Sequence, residues 1–262
     1  MNNDSPIKAL IVVTATALLC SILVTVAAVT LHPIQRAYQD LERNRFLVGI
    51  SGLTDAVAEL PDRDVISLYQ KLEARIVNLD TGSFDDTYNP DTFDTWKTAA
   101  DPVLSIAIPA ELDGAKLSRR SRLVTVFLVR DGDKLQRMML PIYGQGMWST
   151  IYGYIALEAD LNTIADITFF EQAETAGIGD KFLRPAWLAS WRGRKLYDET
   201  GTLRFQIGGR AVDPASSAAR YQVDGISGAT VTIDALMRMV TYWFGTHGFA
   251  PFLDSYRSEV DR

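Results

Sequence analysis

Asp224-Gly225-Ile226-Ser227-Gly228-Ala229-Thr230, read DGISGAT, stands before an amphipathic run in which Ile233, Leu236, Met237, Val240 and Phe244 recur on one side. That spacing predicts a helix over Thr232 to Phe244. Asp224 and Gly225 make a turn pair, glycine giving the backbone a freedom that a Cβ forbids. Ser227 has the chemistry of an N-cap, its hydroxyl placed to accept an amide N–H two or three residues on. A helix starting there puts Gly228, Ala229 and Thr230 in its first turn, where unpaired N–H groups and the positive end of the dipole favour a phosphate. Gly228 and Ala229 let a bulky ligand approach the backbone, and a Thr hydroxyl at that point can bind a phosphate or be esterified by one. Taken alone, the tetrapeptide Ser227–Thr230 reads first as a plain helix cap.

Towards the N-terminus, Gly208 to Tyr221 is a loop rich in Ala, Ser and Gly, and Leu203 to Ile207 reads as a strand. Phe182 to Trp191 reads as a short helix despite Pro185. Thr150 to Leu157 and Leu161 to Phe170 are strands. Leu123 to Val129, the turn Asp131-Gly132-Asp133 and Leu135 to Ile142 form a hairpin rich in β-branched and aromatic residues. A sheet followed by helices predicts an α+β fold. Thr81 to Pro102 turns to Asp, Thr, Asn, Pro and Gly and is expected to be a loop. Asp64 to Ile76 is expected to be an amphipathic helix, with Val65, Leu68, Leu72 and Ile76 on one face. Ile34 to Leu53 reads as another helix, separated by a break at His32-Pro33 from a long apolar run.

That run, Ala9 to Leu31, has no charged residue. About 20 apolar residues suffice to cross a bilayer as a helix. A cleaved signal peptide has an apolar core of about 7–15 residues behind a basic start, whereas only Lys8 precedes this longer run. The segment is therefore read as a retained transmembrane helix.

Composition narrows the chemistry. The net charge of -6, with no basic stripe, argues against a nucleic-acid surface. Arg119-Arg120-Ser121-Arg122 is read as a solvated turn before a strand. Cys20 is the only cysteine and lies in the apolar run, which excludes an intrachain disulfide and a cysteine-ligated zinc or iron–sulfur site within the chain. His32 and His247 lack ligand-spaced partners, so no metal site and no catalytic triad is expected. Gly177-Ile178-Gly179 and Gly144-Gln145-Gly146 both lack the third glycine of a dinucleotide fingerprint, and no Walker A sequence is present.

Two glycine-containing segments remain. Gly144-Gln145-Gly146-Met147-Trp148-Ser149-Thr150-Ile151-Tyr152-Gly153 sets Tyr143, Trp148 and Tyr152 beside small residues, a composition suited to a flat ligand and equally to a glycine-rich hairpin with core aromatics. Glu174-Thr175-Ala176-Gly177-Ile178-Gly179 offers a carboxylate, a hydroxyl and backbone amides ahead of a helix, which is also ordinary capping chemistry.

With DGISGAT and the ending Gly248-Phe249-Ala250-Pro251-Phe252-Leu253, these segments resemble the covalent FMN-binding domain family, and within it the NqrC family of the sodium-translocating NADH:quinone reductases. The likeness runs from the membrane segment almost to the C-terminus. Ala176 and Ile178 stand where the family usually has proline and leucine, and the glycines are intact. The resemblance implies one FMN, joined by a phosphoester to Thr230, with Asp224, Gly225, Ser227, Gly228 and Ala229 forming the attachment loop that a separate flavin transferase recognises. It implies that Trp148, Glu174, Thr175, Gly177 and Ile178 line the flavin, which does the electron chemistry while the protein tunes it. No catalytic residue is expected in the chain itself.

The implied organisation is a tail over 1–8, a transmembrane helix over 9–31, a helical connector and loop over 32–102 and an FMN-binding domain over 103–262. The implied partners are the bilayer, an NADH-oxidising flavin and iron–sulfur subunit, a second covalent-FMN subunit, a quinone-associated subunit and small membrane subunits. The basic residues Arg36, Arg43 and Arg45 after the span outnumber Lys8 before it, which by itself favours a cytoplasmic domain. The resemblance puts the flavin domain on the periplasmic side of a bacterial inner membrane, and the reading follows it. Two alternatives stay open: the FMN subunit of the ferredoxin-linked Rnf complex, and a membrane-anchored scaffold that binds no flavin.

Overall fold

The computed structural model describes residues 6–208, 213 and 215–260. Residues 1–5 of the expected tail and residues 209–212 and 214 of the expected loop lie outside the described residues. The chain divides into two compact units, one ending at Arg43 and the other starting at Asn44.

Helix α1 (Pro6–Ser51) makes up the described part of the first unit, and its last turns belong to the second. It contains an 18-residue window of mean hydropathy 2.6, with no residue of that window buried. By length and composition it is able to cross a membrane. The expected break at His32-Pro33 does not occur: Pro33 lies inside the helix. A proline removes one N–H and crowds the carbonyl four residues back. Here that local loss falls between two segments that are each long enough to propagate a helix.

The second unit is built on a six-stranded antiparallel sheet of order β2-β1-β5-β6-β7-β8. Its strands are β1 (Glu73–Asn78), β2 (Ser83–Phe84), β5 (Leu123–Asp131), β6 (Lys134–Gln145), β7 (Thr150–Glu158) and β8 (Ile164–Glu171). A short helix α3 (Thr95–Thr98) and the pair β3 (Ser105–Ala107) and β4 (Arg119–Ser121) fall between β2 and β5. The α+β class expected from the sequence is the one observed.

The central strands are apolar on both faces because both faces are covered. Val126, Leu128, Leu140 and Ile142 point into a core shared with Leu236, Met239, Val240 and Trp243 of helix α5 (Thr230–Trp243) and with Phe252 and Leu253 of helix α6 (Ala250–Val260). The alternate residues Phe127, Val129 and Met139 pack with Leu47, Ile50 and Leu72 on the other face. Helix α5 is tied to β6 where the Trp243 indole N–H donates to the Tyr143 carbonyl at 2.6 Å. Gly144 permits this approach, since a Cβ there would lie 3.1 Å from Met239 Cβ.

Several expected elements change. The helix expected over Asp64 to Ile76 is helix α2 (Asp62–Tyr69) followed by β1, so part of the expected connector belongs to the sheet. Ile76 and Val77 are β-branched and pair with Thr125 and Val124, and this burial outweighs the helical spacing. The loop expected over Thr81 to Pro102 contains β2 and α3. Arg120 is buried and bonded to Asp80 at 2.9 Å rather than solvated. Strand β8 starts at Ile164 because Leu161 adopts a positive φ of 55°. The short helix is split by Pro185 into a 3-10 turn at Gly179–Leu183 and helix α4 (Pro185–Ala189), with proline at its first position. Strand β9 (Gln206–Gly208) pairs in parallel with β10 (Gln222–Asp224), which delivers the chain to the start of α5.

Gly248 turns the chain between α5 and α6, and a Cβ there would sit 2.2 Å from the Trp243 carbonyl oxygen. Gly248→Ala is expected to lower the unfolding free energy by about 2–4 kcal/mol through forced backbone movement. Gly132→Ala, with positive φ but open space around it, should cost only about 1 kcal/mol. Denaturant titration of the detergent-solubilised chain, followed by tryptophan fluorescence, checks both.

Candidate cofactor-binding site

The segments singled out in the sequence meet at Glu174. This carboxylate is buried, and its Oε1 accepts the backbone N–H groups of Met147 at 2.9 Å and Trp148 at 3.1 Å. Its Oε2 accepts the Thr232 hydroxyl at 2.6 Å, which reaches it from the first turn of α5. Three stretches far apart in sequence are thereby joined by one side chain. Gly146 makes room for it: a Cβ there would lie 2.6 Å from Glu174 Oε1. Gly179 does the same from the other side, where a Cβ would lie 3.1 Å from Glu174 Cβ.

The loop between β6 and β7 is closed by Gly146 N–H donating to the Ser149 carbonyl at 2.8 Å. The Ser149 hydroxyl in turn accepts Ala173 N–H at 2.8 Å, tying the loop to the segment that carries Glu174. The Trp148 indole N–H donates to Thr175 Oγ1 at 3.0 Å, so this ring is oriented although it is 65% exposed. Thr175 also supplies its carbonyl to the N–H groups of Ile178 at 3.1 Å and Gly179 at 2.8 Å, around a left-handed Gly177 with φ 74°. Met147, Ile178 and Val231 are more than half exposed as well. Burying such side chains against a ligand is worth about 25 cal/mol per Å² of apolar surface.

Tyr143 and Tyr152 do not join this cluster. Their rings stack at 5.8 Å and pack edge-on against Trp96, at 5.2 and 5.1 Å. Burial pushes the Tyr143 phenol well above its ordinary range and raises that of Tyr152, so both serve as neutral core aromatics.

The loop ahead of α5 differs in detail from the expected cap. Helix α5 starts at Thr230 with Ala229 in the N-cap position, and no side chain caps it. Ser227 stands outside because Gly228 takes a left-handed φ of 82° and turns the chain before the helix starts. Ile233 N–H is the first to reach back, donating to the Ala229 carbonyl at 2.9 Å. The amides of Thr230, Val231 and Thr232 thus open the helix without an intrahelical acceptor, the arrangement that receives an anion. Thr230 is exposed at that end and Thr232 is buried. Asp224 ends β10, and Gly225 and Ile226 lead from it to Ser227.

Residues outside the motifs also enter the site. Lys181 Nζ donates to the Ser227 carbonyl at 3.3 Å, and the Trp187 indole N–H donates to the Asp224 carbonyl at 2.8 Å. Val231 and Thr232 directly follow the DGISGAT motif. The only sequence signal for Lys181 is its place two residues past Gly179. Trp187 gave none, because its contact spans 37 residues. An exposed hydroxyl beside free helix amides, an ammonium group nearby and exposed apolar side chains fit a phosphate-bearing aromatic ligand. Among the described residues, no group of His, Cys, Asp and Glu is arranged to hold a metal.

A family model described as the FMN-binding domain matches residues 146–245. The chain is 39% identical over 257 residues to the NqrC protein of the Na(+)-translocating NADH-quinone reductase of Pseudomonas aeruginosa, covering 98% of both. It is 38% identical over 258 residues to the protein of the same name from Vibrio vulnificus, covering 98% of this chain and 97% of the other. Among solved structures, the crystal structure of Shewanella oneidensis NqrC matches with a TM-score of 0.74 at 33% identity, covering 84% of this chain and 98% of that one. The crystal structure of the corresponding Na(+)-translocating NADH-quinone reductase protein from Parabacteroides distasonis, at 23% identity and a TM-score of 0.60, shares the fold.

Glu174→Ala would leave two amides and a buried hydroxyl without their acceptor. It is expected to cost about 2–4 kcal/mol of stability and to speed amide hydrogen exchange at Met147 and Trp148. Glu174→Gln, which keeps an acceptor oxygen, should cost less than half as much. Exchange mass spectrometry and denaturant titration measure the two effects.

Proposed function

The chain belongs to the NqrC family of the Na(+)-translocating NADH-quinone reductases, and on that premise we propose that it carries FMN as a phosphoester on Thr230. In this role it is an electron-relaying subunit of a sodium-pumping NADH:quinone reductase. The observation that carries the proposal is the contrast between two hydroxyls in one helix turn. Thr230 is exposed at the uncapped start of α5, whereas the Thr232 hydroxyl is buried and committed to Glu174 at 2.6 Å. Thr230 Oγ is free to form the ester bond and Thr232 Oγ1 is not.

Esterification requires an activated donor, a flavin dinucleotide bound by a transferase. The Thr230 Oγ–phosphorus bond forms as the pyrophosphate bond breaks, and the hydroxyl proton leaves with the released nucleotide. The resulting phosphodiester keeps one negative charge beside the helix dipole. Trp148, Thr175, Gly177 and Ile178 would flank the flavin, and Glu174 would fix the loop that presents Trp148. Asp224, Gly225, Ser227, Gly228 and Ala229 would form the loop ahead of the ester. When bound, FMN supplies one- and two-electron chemistry. The chain's own part is to hold it at a fixed place, a condition for electron transfer at a defined distance from neighbouring carriers.

On this proposal α1 anchors the protein in the bacterial inner membrane with the flavin domain on the periplasmic side. NADH oxidation, quinone reduction and sodium passage fall to the assembled complex.

Co-expression with a flavin transferase is expected to give a mass gain of one FMN residue and in-gel flavin fluorescence. Both should vanish in Thr230→Ala and persist in Thr232→Ala. A wild-type chain left unmodified by an active transferase would remove the covalent role.

A further inference from the structure

Segment 179–189 holds the attachment loop from outside. Its 3-10 turn is anchored by Phe182, fully buried and edge-on to Phe169 at 4.9 Å. Trp187 of α4 packs edge-on against the fully buried Trp191 at 5.4 Å. From these anchored positions two donors reach the loop: Trp187 Nε1 meets the Asp224 carbonyl, and Lys181 Nζ meets the Ser227 carbonyl. The two carbonyls bracket Gly225 and Ile226, and the left-handed Gly228 follows. From beyond the bracket, Ala229 N–H donates back to the Ile226 carbonyl at 3.2 Å.

We propose that Lys181 and Trp187 are positioning residues for the modification of Thr230, a two-point clamp that holds residues 224–229 in the conformation a flavin transferase accepts. This deepens the proposed function and rests on it. Fixing the backbone of a free residue costs about 1–2 kcal/mol, so a loop ordered before the encounter spares the transferase that entropy, and the gain appears as tighter binding of the acceptor protein. The acceptor carbonyls lie at the surface, where water can replace a lost donor. Loss of the clamp therefore acts on the loop rather than on the sheet.

The test follows flavin incorporation into the detergent-solubilised full-length chain, with purified transferase and a flavin dinucleotide, for Trp187→Phe, Lys181→Met and the double variant. Each single variant is expected to raise the KM for the acceptor protein about five- to tenfold with little change in kcat, from the loss of one net hydrogen bond. The double variant should lose more, and Lys181→Arg should recover most of the loss. Hydrogen exchange should quicken at residues 224–229 and stay unchanged in β6 and β7. An unchanged KM in the double variant, or exchange that quickens in β6 and β7 along with the loss, would overturn the clamp. A wild-type chain that is never modified would instead sink the covalent reading itself, so the two failures are distinguishable.

Discussion

The Glu174 carboxylate holds the site together. Its two oxygens take hydrogen bonds from the Met147 and Trp148 amides and from the Thr232 hydroxyl. Hydrogen bonds to a charged acceptor are about twice as strong as neutral ones, and a buried carboxylate is tolerated only when it is well supplied with donors. Gly146 and Gly179 are small because the carboxylate lies against them. The backbone at Met147 and Trp148 and the first turn of α5 are held by this one carboxylate.

The second constraint is the reversal at Gly228. By taking a positive φ it ends the loop one residue before the N-cap and leaves the amides of Thr230 to Thr232 at the head of a fourteen-residue helix. Moving the N-cap of α5 by two residues, from Ser227 to Ala229, changes which hydroxyl stands at the positive end of the dipole. It also rotates Thr232 inward to Glu174. The loop is small in the sense that matters for a bulky ligand, and two donors on a neighbouring segment hold its backbone carbonyls.

The sheet supplies rigidity behind this. Strands β5 and β6 are apolar on both faces, so α5 packs on one face while residues 47–72 cover the other. A helix tied to β6 at Trp243 and to Glu174 at Thr232 is fixed near both ends. Any group attached to its first residue inherits that fixed position, which is the property an electron carrier needs.

The sequence alone determined the apolar helix, the α+β class, the hairpin around Gly132 and the segments around Trp148, Glu174 and Thr230, because each is written in local periodicity, turn residues or a contiguous motif. It misread Asp64 to Ile76, where helical spacing hid a strand whose partners over Glu73 to Ile76 lie 49 to 55 residues away. It also misplaced the cap on Ser227, since the φ of Gly228 is set by the surrounding fold. Only the tertiary structure decided that Glu174 joins three separate stretches, that Tyr143 and Tyr152 belong to the core, and that Lys181 and Trp187 grip the loop. The hydrogen bonds of Glu174, Lys181 and Trp187 join residues from 26 to 58 positions apart. No local pattern encodes them, because they exist only once the sheet has brought the segments within hydrogen-bonding distance.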